Sequence, residues 1–209
     1  MGGRIINSKR RYIAFSLGFL LLLSGCVSLV KPGPRQVQVP LSVAKRALDT
    51  ALAQVGDPYV WGGQGPDEFD CSGLIIWSYA KVYPGLQLKR SETVIADDAT
   101  QDELWRYNVL PLTPEQMQPG DIVFITNDSE RMTHGGLFIA WVNEARTEFR
   151  FVNASSYYGE VVIDTWPVEG EKRGQWFAGA GRLLVTVNKH RPSGRFSYAT
   201  PQPRMNEAG

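Results

Sequence analysis

Two side chains in this sequence could together make and break an acyl bond: Cys71, in FDCSGLI (69–75), and His134, in MTHGGLFIA (132–140). A thiol is a poor nucleophile until it loses its proton. Its free pKa is about 8.5, and a helix N-terminus or a neighbouring imidazole lowers it. Cys71 opens a dense apolar run, so it falls at the expected start of a buried helix. Unpaired N–H groups and the positive end of the dipole there favour thiolate. His134 opens a run that reads as a strand. A lone histidine at a strand end is more often structural than catalytic, but the second histidine, His190, lies in a proline-rich tail and reads as a solvated residue. His134 is therefore the base that the thiol could use. A base works best when a third polar group holds its tautomer. The next strand-like run, FRFVNAS, offers Asn153, which would lie beside His134 if the two runs form a hairpin. Its plainer reading is a strand-end turn residue.

The elements around these residues follow from local pattern. The segment VAKRALDTALAQV carries apolar residues at helical spacing, with Ser42 as a candidate cap and Gly56 as a stop. DPYVWGGQGPDEFD (57–70) is loop by its glycines and prolines. A second helix is predicted from about Cys71 to Tyr83, stopped by Pro84-Gly85, and apolar enough to be central and buried. Residues 91–118 read as short helical turns and loop. Then DIVFIT, GGLFIAWV, EFRFVNAS, EVVIDT and AGRLLVTV form short β-branched and aromatic runs separated by turns. Helices followed by an antiparallel meander predict an α+β fold, with N-terminal helices packed on a sheet of about five strands.

The chain has 209 residues, a net charge of +1 and 43% hydrophobic residues. That suits one domain plus flanking segments and gives no electrostatic case for nucleic acid. A monomer is expected. Of the two cysteines, Cys26 ends MGGRIINSKRRYIAFSLGFLLLLSGC, a positive n-region followed by an apolar h-region. The closing LSGC resembles a bacterial lipobox. That resemblance implies a signal peptide over 1–25 and a lipidated Cys26 as the first mature residue. An ordinary signal peptide or a single membrane anchor is the alternative. Residue 27 is Val and not Asp, which in enteric-type sorting implies the outer membrane, facing the periplasm. Residues 26–41 read as a proline-rich tether, 42–187 as the catalytic domain and 188–209 as a disordered tail. Cys71 is then the one thiol of the mature domain and has no disulfide partner. Adjacent acids such as Asp97-Asp98 read as a solvated face and not as a glycosidase pair. No metal-ligand pattern is visible.

PYVWGG (58–63), FDCSGLI (69–75), PGDIVF (119–124), HGGLFIA (134–140) and FVNASS (151–156) occur in the order and approximate spacing of the NlpC-type cell-wall peptidases, which this chain resembles over about residues 43–186. The resemblance implies a minimal papain-like fold without a cofactor. It implies a cysteine endopeptidase that cuts peptidoglycan stem peptides, in many members after D-glutamate. It makes Cys71 the nucleophile, His134 the general base and Asn153 the orienting residue, at a position that is often histidine. Tyr59 becomes a substrate contact or a support for the tetrahedral intermediate. Asp70, Ser72 and Ser91 become substrate-binding residues, although Asp70 could instead cap the helix. The order Ser91-Glu92 departs from the family segment, so no strict need for a free peptide N-terminus is expected. Gly135, where the family often has Val, implies a roomier wall. Two other readings stay open: papain-like amidase or acyltransferase chemistry on another acyl substrate, and a non-catalytic envelope lipoprotein.

Overall fold

The computed structural model describes residues 34–127 and 130–187. The leader, Cys26, the first part of the tether and the tail with His190 lie outside the described residues. The elements in chain order are β1 (Arg35–Gln38), α1 (Leu41–Leu52), α2 (Cys71–Val82), a two-stranded ribbon of β2 (Leu88–Lys89) and β3 (Ile95–Ala96), and α3 (Gln101–Tyr107). Then come β4 (Val109–Leu112), a 3-10 turn at Pro114–Gln116, β5 (Ile122–Thr126), β6 (His134–Trp141), β7 (Glu148–Ser155), β8 (Glu160–Pro167), β9 (Glu171–Lys172) and β10 (Gln175–Val187).

The helix caps account for where the helices begin. Pro40, with φ −59° and ψ 144°, precedes α1, and its carbonyl accepts from the N–H groups of Val43 and Ala44. The predicted cap, Ser42, is therefore inside the first turn, because the proline one residue before the helix has already set the turn. At α3, Thr100 and Glu103 form a reciprocal capping box. At α2 the side chain of Asp70 accepts from Gly73 N at 2.6 Å. Leu74, Ile75, Ile76 and Tyr79 of α2 are all buried. Burying each such side chain contributes about 1.5–3 kcal/mol relative to exposure, and this fixes the helix at the centre of the domain.

The main sheet has eight strands, all antiparallel, with β1-β10-β5-β6-β7-β8 in order and β4 and β9 also pairing with β10. The α+β arrangement agrees with the sequence, and the five expected strands are β5, β6, β7, β8 and β10. The three additional strands are short. β1 is formed by residues read from sequence as tether; its partner is the C-terminal half of β10, with Arg35 opposite Val187 and Gln38 opposite Leu184. A four-residue segment holding two glutamines has no pattern of its own and becomes a strand because β10 offers it an unpaired edge.

Alternation along β5 divides the core. Ile122 and Phe124 pack with the helices, whereas Val123 and Ile125 pack on the opposite face with Phe138, Phe149, Phe151 and Trp166. A strand buried on both faces reads as a continuous apolar run. At the start of β5, Asp121 is fully buried and Arg182 of β10 holds both its oxygens, Nε to Oδ1 at 2.8 Å and Nη2 to Oδ2 at 2.9 Å. Removing one partner would strand a buried charge. Arg182→Ala is therefore expected to lose about 3–5 kcal/mol of stability in urea unfolding. A loss below about 1 kcal/mol would show that the pair does not hold β5 to β10.

Candidate active site

Cys71 is the first residue of α2, and the WGG loop is pressed against that end of the helix. A Cβ built on Gly73 would come 2.0 Å from the carbonyl oxygen of Gly63, so the second turn of loop and the first turn of helix can meet only at glycine. Asp70 ties the same junction. Its Oδ1 accepts from Ser72 Oγ at 2.9 Å as well as from Gly73 N, and its Oδ2 accepts from Gly62 N at 3.1 Å.

His134 and Asn153 come from neighbouring strands. The β6–β7 register pairs Leu137 with Val152, which sets Gly136 against Asn153. A Cβ on Gly136 would lie 2.2 Å from the Val152 carbonyl oxygen and 2.9 Å from Asn153 Cβ. The missing side chain leaves room for the diagonal contact: His134 Nε2 lies 3.0 Å from Asn153 Oδ1. An amide oxygen only accepts, so Nε2 carries the proton and Nδ1 keeps its lone pair. Asn153 is 1% exposed, so water cannot replace it in this bond.

These residues meet in a cleft of about 320 Å³ lined by Tyr59, Trp61, Cys71, Thr133, His134, Asn153, Ser155, Ser156, Tyr157, Asp164, Trp166, Arg173 and Gln175. Of the residues named from sequence, Cys71, His134, Asn153 and Tyr59 therefore share one cleft. Asp70 and Ser72 flank Cys71 in sequence and form the cap of α2, but they are not among the cleft-lining residues. Ser91 is elsewhere: it lies in the β2–β3 turn, where its hydroxyl accepts from the N–H groups of Thr93 and Val94.

Sequence reasoning missed the far wall. Trp61, 88% exposed, presents its indole at the mouth. Opposite, Arg173 pairs with Asp164 at 2.9 Å and lies over the rings of Tyr157 and Tyr158. A tryptophan in a glycine-rich loop is a signal for a binding surface; the Asp164–Arg173 wall has no signal in spacing. Gln101 was also missed. It is the first residue of α3, 4% exposed, and its Oε1 fills the space beside Gly135, 2.8 Å from where a Cβ would stand. The expected roomier wall at Gly135 is therefore not open space, because the Gln101 amide occupies it.

Burial governs the titration of the pair. It pushes the Cys71 thiol up to about 11, and the Asp70 carboxylate adds to this; contacts from Gln101 and from the Ser72 and Cys71 backbone N–H groups act the other way and are outweighed. The thiolate-favouring field expected at the helix N-terminus is present, but desolvation exceeds it. Burial likewise pushes His134 down to about 4, against the hydrogen bond to Asn153 and the charge of Asp164. Burial, then the charges of Cys71 and Asp70, raise Tyr59, so its phenol keeps its proton at neutral pH. The resting site holds a neutral thiol beside a neutral imidazole.

The depressed histidine has a consequence for stability. Its folded pKa of about 4 lies below the unfolded value of about 6.5. Between these values the unfolded chain binds more protons, so stability present above pH 6.5 is lost as pH falls towards 4. The loss is expected to be on the order of 1–2 kcal/mol after solvent screening. His134→Gln should lack that part of the acid destabilisation in melting curves at pH 4–7. Parallel curves for the two proteins would show that His134 titrates normally.

The NlpC/P60 family profile matches residues 56–178, more than half of the chain and the whole span of the cleft residues. The chain belongs to the NlpC/P60 family. A probable endopeptidase of Corynebacterium glutamicum is 30% identical over 132 residues, covering 63% of this chain and 54% of its own length. A probable endopeptidase of Mycobacterium bovis is 34% identical over 92 residues, 44% of this chain and 20% of its own. The bifunctional muramidase/DL-endopeptidase CwlT of Bacillus subtilis is 32% identical over 113 residues, 53% of this chain and 30% of its own. The chain thus spans between 20% and 54% of the length of these relatives. Among solved structures, NlpC1 of Trichomonas vaginalis aligns at 23% identity with a TM-score of 0.49, covering 68% of this chain and 44% of that one.

Proposed function

We propose that the protein is an envelope-anchored cysteine endopeptidase that hydrolyses peptide bonds in peptidoglycan stem peptides, at the bond between D-glutamate and the following diamino acid. The observation that carries this reading is the His134 Nε2–Asn153 Oδ1 bond, which leaves Nδ1 as the basic nitrogen in a cleft shared with Cys71. Family membership and the names of the relatives support the substrate class.

Cys71 passes its thiol proton to His134 Nδ1 and its sulfur attacks the peptide carbonyl carbon. The resulting oxyanion accepts from the Cys71 backbone N–H, one of the unpaired donors at the start of α2, and from the Tyr59 phenol. His134, now imidazolium, gives its proton to the departing amine, and the C–N bond breaks to leave a thioester. Water, deprotonated by His134, then attacks the thioester and releases the acid and the thiol. Asn153 keeps the ring in the required tautomer throughout. It carries no charge, so it stabilises the imidazolium less than a carboxylate would. The Trp61 indole and the Arg173 wall flank the bound peptide, and Asp70 and Ser72 approach its amino side. Lipidated Cys26 would hold the domain at the outer membrane, facing the periplasm, as a monomer needing no cofactor.

The test is product analysis. Purified protein is incubated with sacculi and defined muropeptides, and the products are read by mass spectrometry. New amino and carboxyl ends at one peptide bond, generated only with Cys71 present, are expected. Acyl transfer without net hydrolysis, or no reaction on any stem peptide, would sink the reading. Metabolic labelling with a fatty acid that marks the wild-type protein and not Cys26→Ser would test the anchor; equal labelling would remove it.

A further inference from the structure

A two-residue hairpin turn suits asparagine, aspartate or glycine, because both of its central residues take positive φ. The turn between β9 and β10 is Arg173-Gly174, with φ 58° and 72°, and Lys172 pairs with Gln175 on either side of it. An arginine there carries a backbone cost that asparagine would largely avoid. Its side chain is held firmly in return. Nη1 donates to Asp164 Oδ2 at 2.9 Å and Nη2 to the Tyr158 hydroxyl at 2.5 Å. The guanidinium carbon stands 4.2 Å from the centre of the Tyr157 ring and 4.8 Å from that of Tyr158. The group so held lines the cleft of Cys71 and His134, and its side chain is 26% exposed.

These contacts leave the guanidinium with capacity to spare. It has five N–H donors in a planar fork, and among the described residues Asp164 and Tyr158 each take one. Asp164 is also held without it: Oδ1 accepts from Lys172 Nζ at 3.0 Å and from Thr165 N at 2.8 Å. This wall therefore sets two cations, Lys172 and Arg173, against one carboxylate. The nearby Glu171 turns its Oε1 to the Gly174 N–H and does not line the cleft. A fixed fork with unused donors and a surplus of positive charge is suited to a planar oxyanion.

We propose that Arg173 is a specificity-determining residue that receives a free carboxylate of the bound peptide: its unused N–H groups donate to the carboxylate oxygens, while Asp164, Tyr157 and Tyr158 keep the fork in place. The inference rests on the peptidoglycan reading above and deepens it. A glutamyl residue has two carboxyl groups; the scissile amide takes one, and the other stays ionised at neutral pH. A diamino acid at a chain end brings a carboxylate of its own on the other side of the bond. The ligand class is thus an acidic peptide with a carboxylate beside the bond that is cut.

The experiment is calorimetric binding to the full chain carrying Cys71→Ala, so that nothing is turned over. Three forms of one muropeptide are used: all carboxylates free, the glutamyl carboxylate converted to a carboxamide, and the diamino-acid carboxylate converted to a carboxamide. Each is titrated into protein with Arg173 and into protein with Arg173→Asn, a substitution that suits the positive φ. One of the two carboxamides is expected to bind about 10- to 100-fold more weakly than the free acid when Arg173 is present, and within about twofold of it in Arg173→Asn. Which carboxamide loses affinity names the carboxylate. A merely structural arginine would lower the melting temperature on substitution and leave the discrimination as it was, which would overturn the proposal. Should Arg173→Asn fail to fold, Arg173→Lys keeps the charge and removes the fork, and should lose most of the discrimination; full retention overturns the proposal equally. Equal binding of all three forms when Arg173 is present, or no binding of any, also overturns it. Cleavage by the Cys71 protein is measured beside the titrations. Discrimination without cleavage would uphold the carboxylate site and sink the hydrolase reading, whereas cleavage without discrimination would do the reverse.

Discussion

Cys71→Ala is expected to reduce hydrolysis of stem peptides by at least about 10⁴-fold, to the detection limit, while leaving the fold intact. The loss should be this large because the remaining groups have nothing to deliver: the Cys71 backbone N–H and Tyr59 can stabilise an oxyanion only after a nucleophile has attacked. Stability should hardly change, since the thiol at the cleft floor is partly exposed and the α2 cap is formed by Asp70 and not by sulfur. The measurement is single-turnover cleavage of a defined muropeptide with a melting curve beside it. Residual activity within a hundredfold of the wild type, in folded protein, would mean that another group attacks the substrate.

His134→Ala should lose nearly as much, by about 10³- to 10⁴-fold near neutral pH. A thiol held at about 11 is ionised in roughly one molecule in 10⁴ at pH 7, so without a base the nucleophile is almost absent. The same arithmetic supplies a signature. The residual rate of the variant should rise about tenfold per pH unit through the alkaline range, as hydroxide does the work of the imidazole. A flat alkaline profile would show that His134 does something other than remove the thiol proton. Asn153→Ala should fall by only about 10- to 100-fold. It releases the tautomer but leaves the lone pair, and it removes a buried amide whose Nδ2 has no partner among the described residues. Equal losses for His134→Ala and Asn153→Ala would mean that Asn153 does more than orient the ring.

Much of the fold was legible because its signals are local. The apolar run after Cys71 marked a buried helix, and five alternating or continuous apolar runs marked the principal strands; α3 was read only as part of a stretch of short helical turns and loop. The strands β1, β4 and β9 were not legible. Each is four residues or fewer; β1 and β4 owe their conformation to β10, a partner far away in sequence, and β9, joined to β10 by a two-residue turn, is itself only two residues long. Ser42 was misread as the cap because a hydroxyl at a helix start is a good general signal, whereas here the extended proline before it had already turned the chain.

The candidate site divides the same way. Residue types and motif order were enough to name Cys71, His134, Asn153 and Tyr59, because nucleophile, base, acceptor and phenol are chemical identities that a sequence states outright. The sequence also determined the glycines of HGG and the cap at Asp70, since both act on immediate neighbours. The tertiary structure decided the protonation state. A helix N-terminus predicts a depressed thiol, but desolvation is a sum over side chains from α2, α3, the loops and the sheet, and here that sum exceeds the local field. It decided that Ser91 lies in the β2–β3 turn and not among the cleft residues, that Arg173 and Asp164 line the cleft, and that the Gln101 amide fills the space beside Gly135. None of these has a spacing rule, because burial and contact between separate elements depend on how helices and strands pack together, and local sequence records only what each element becomes by itself.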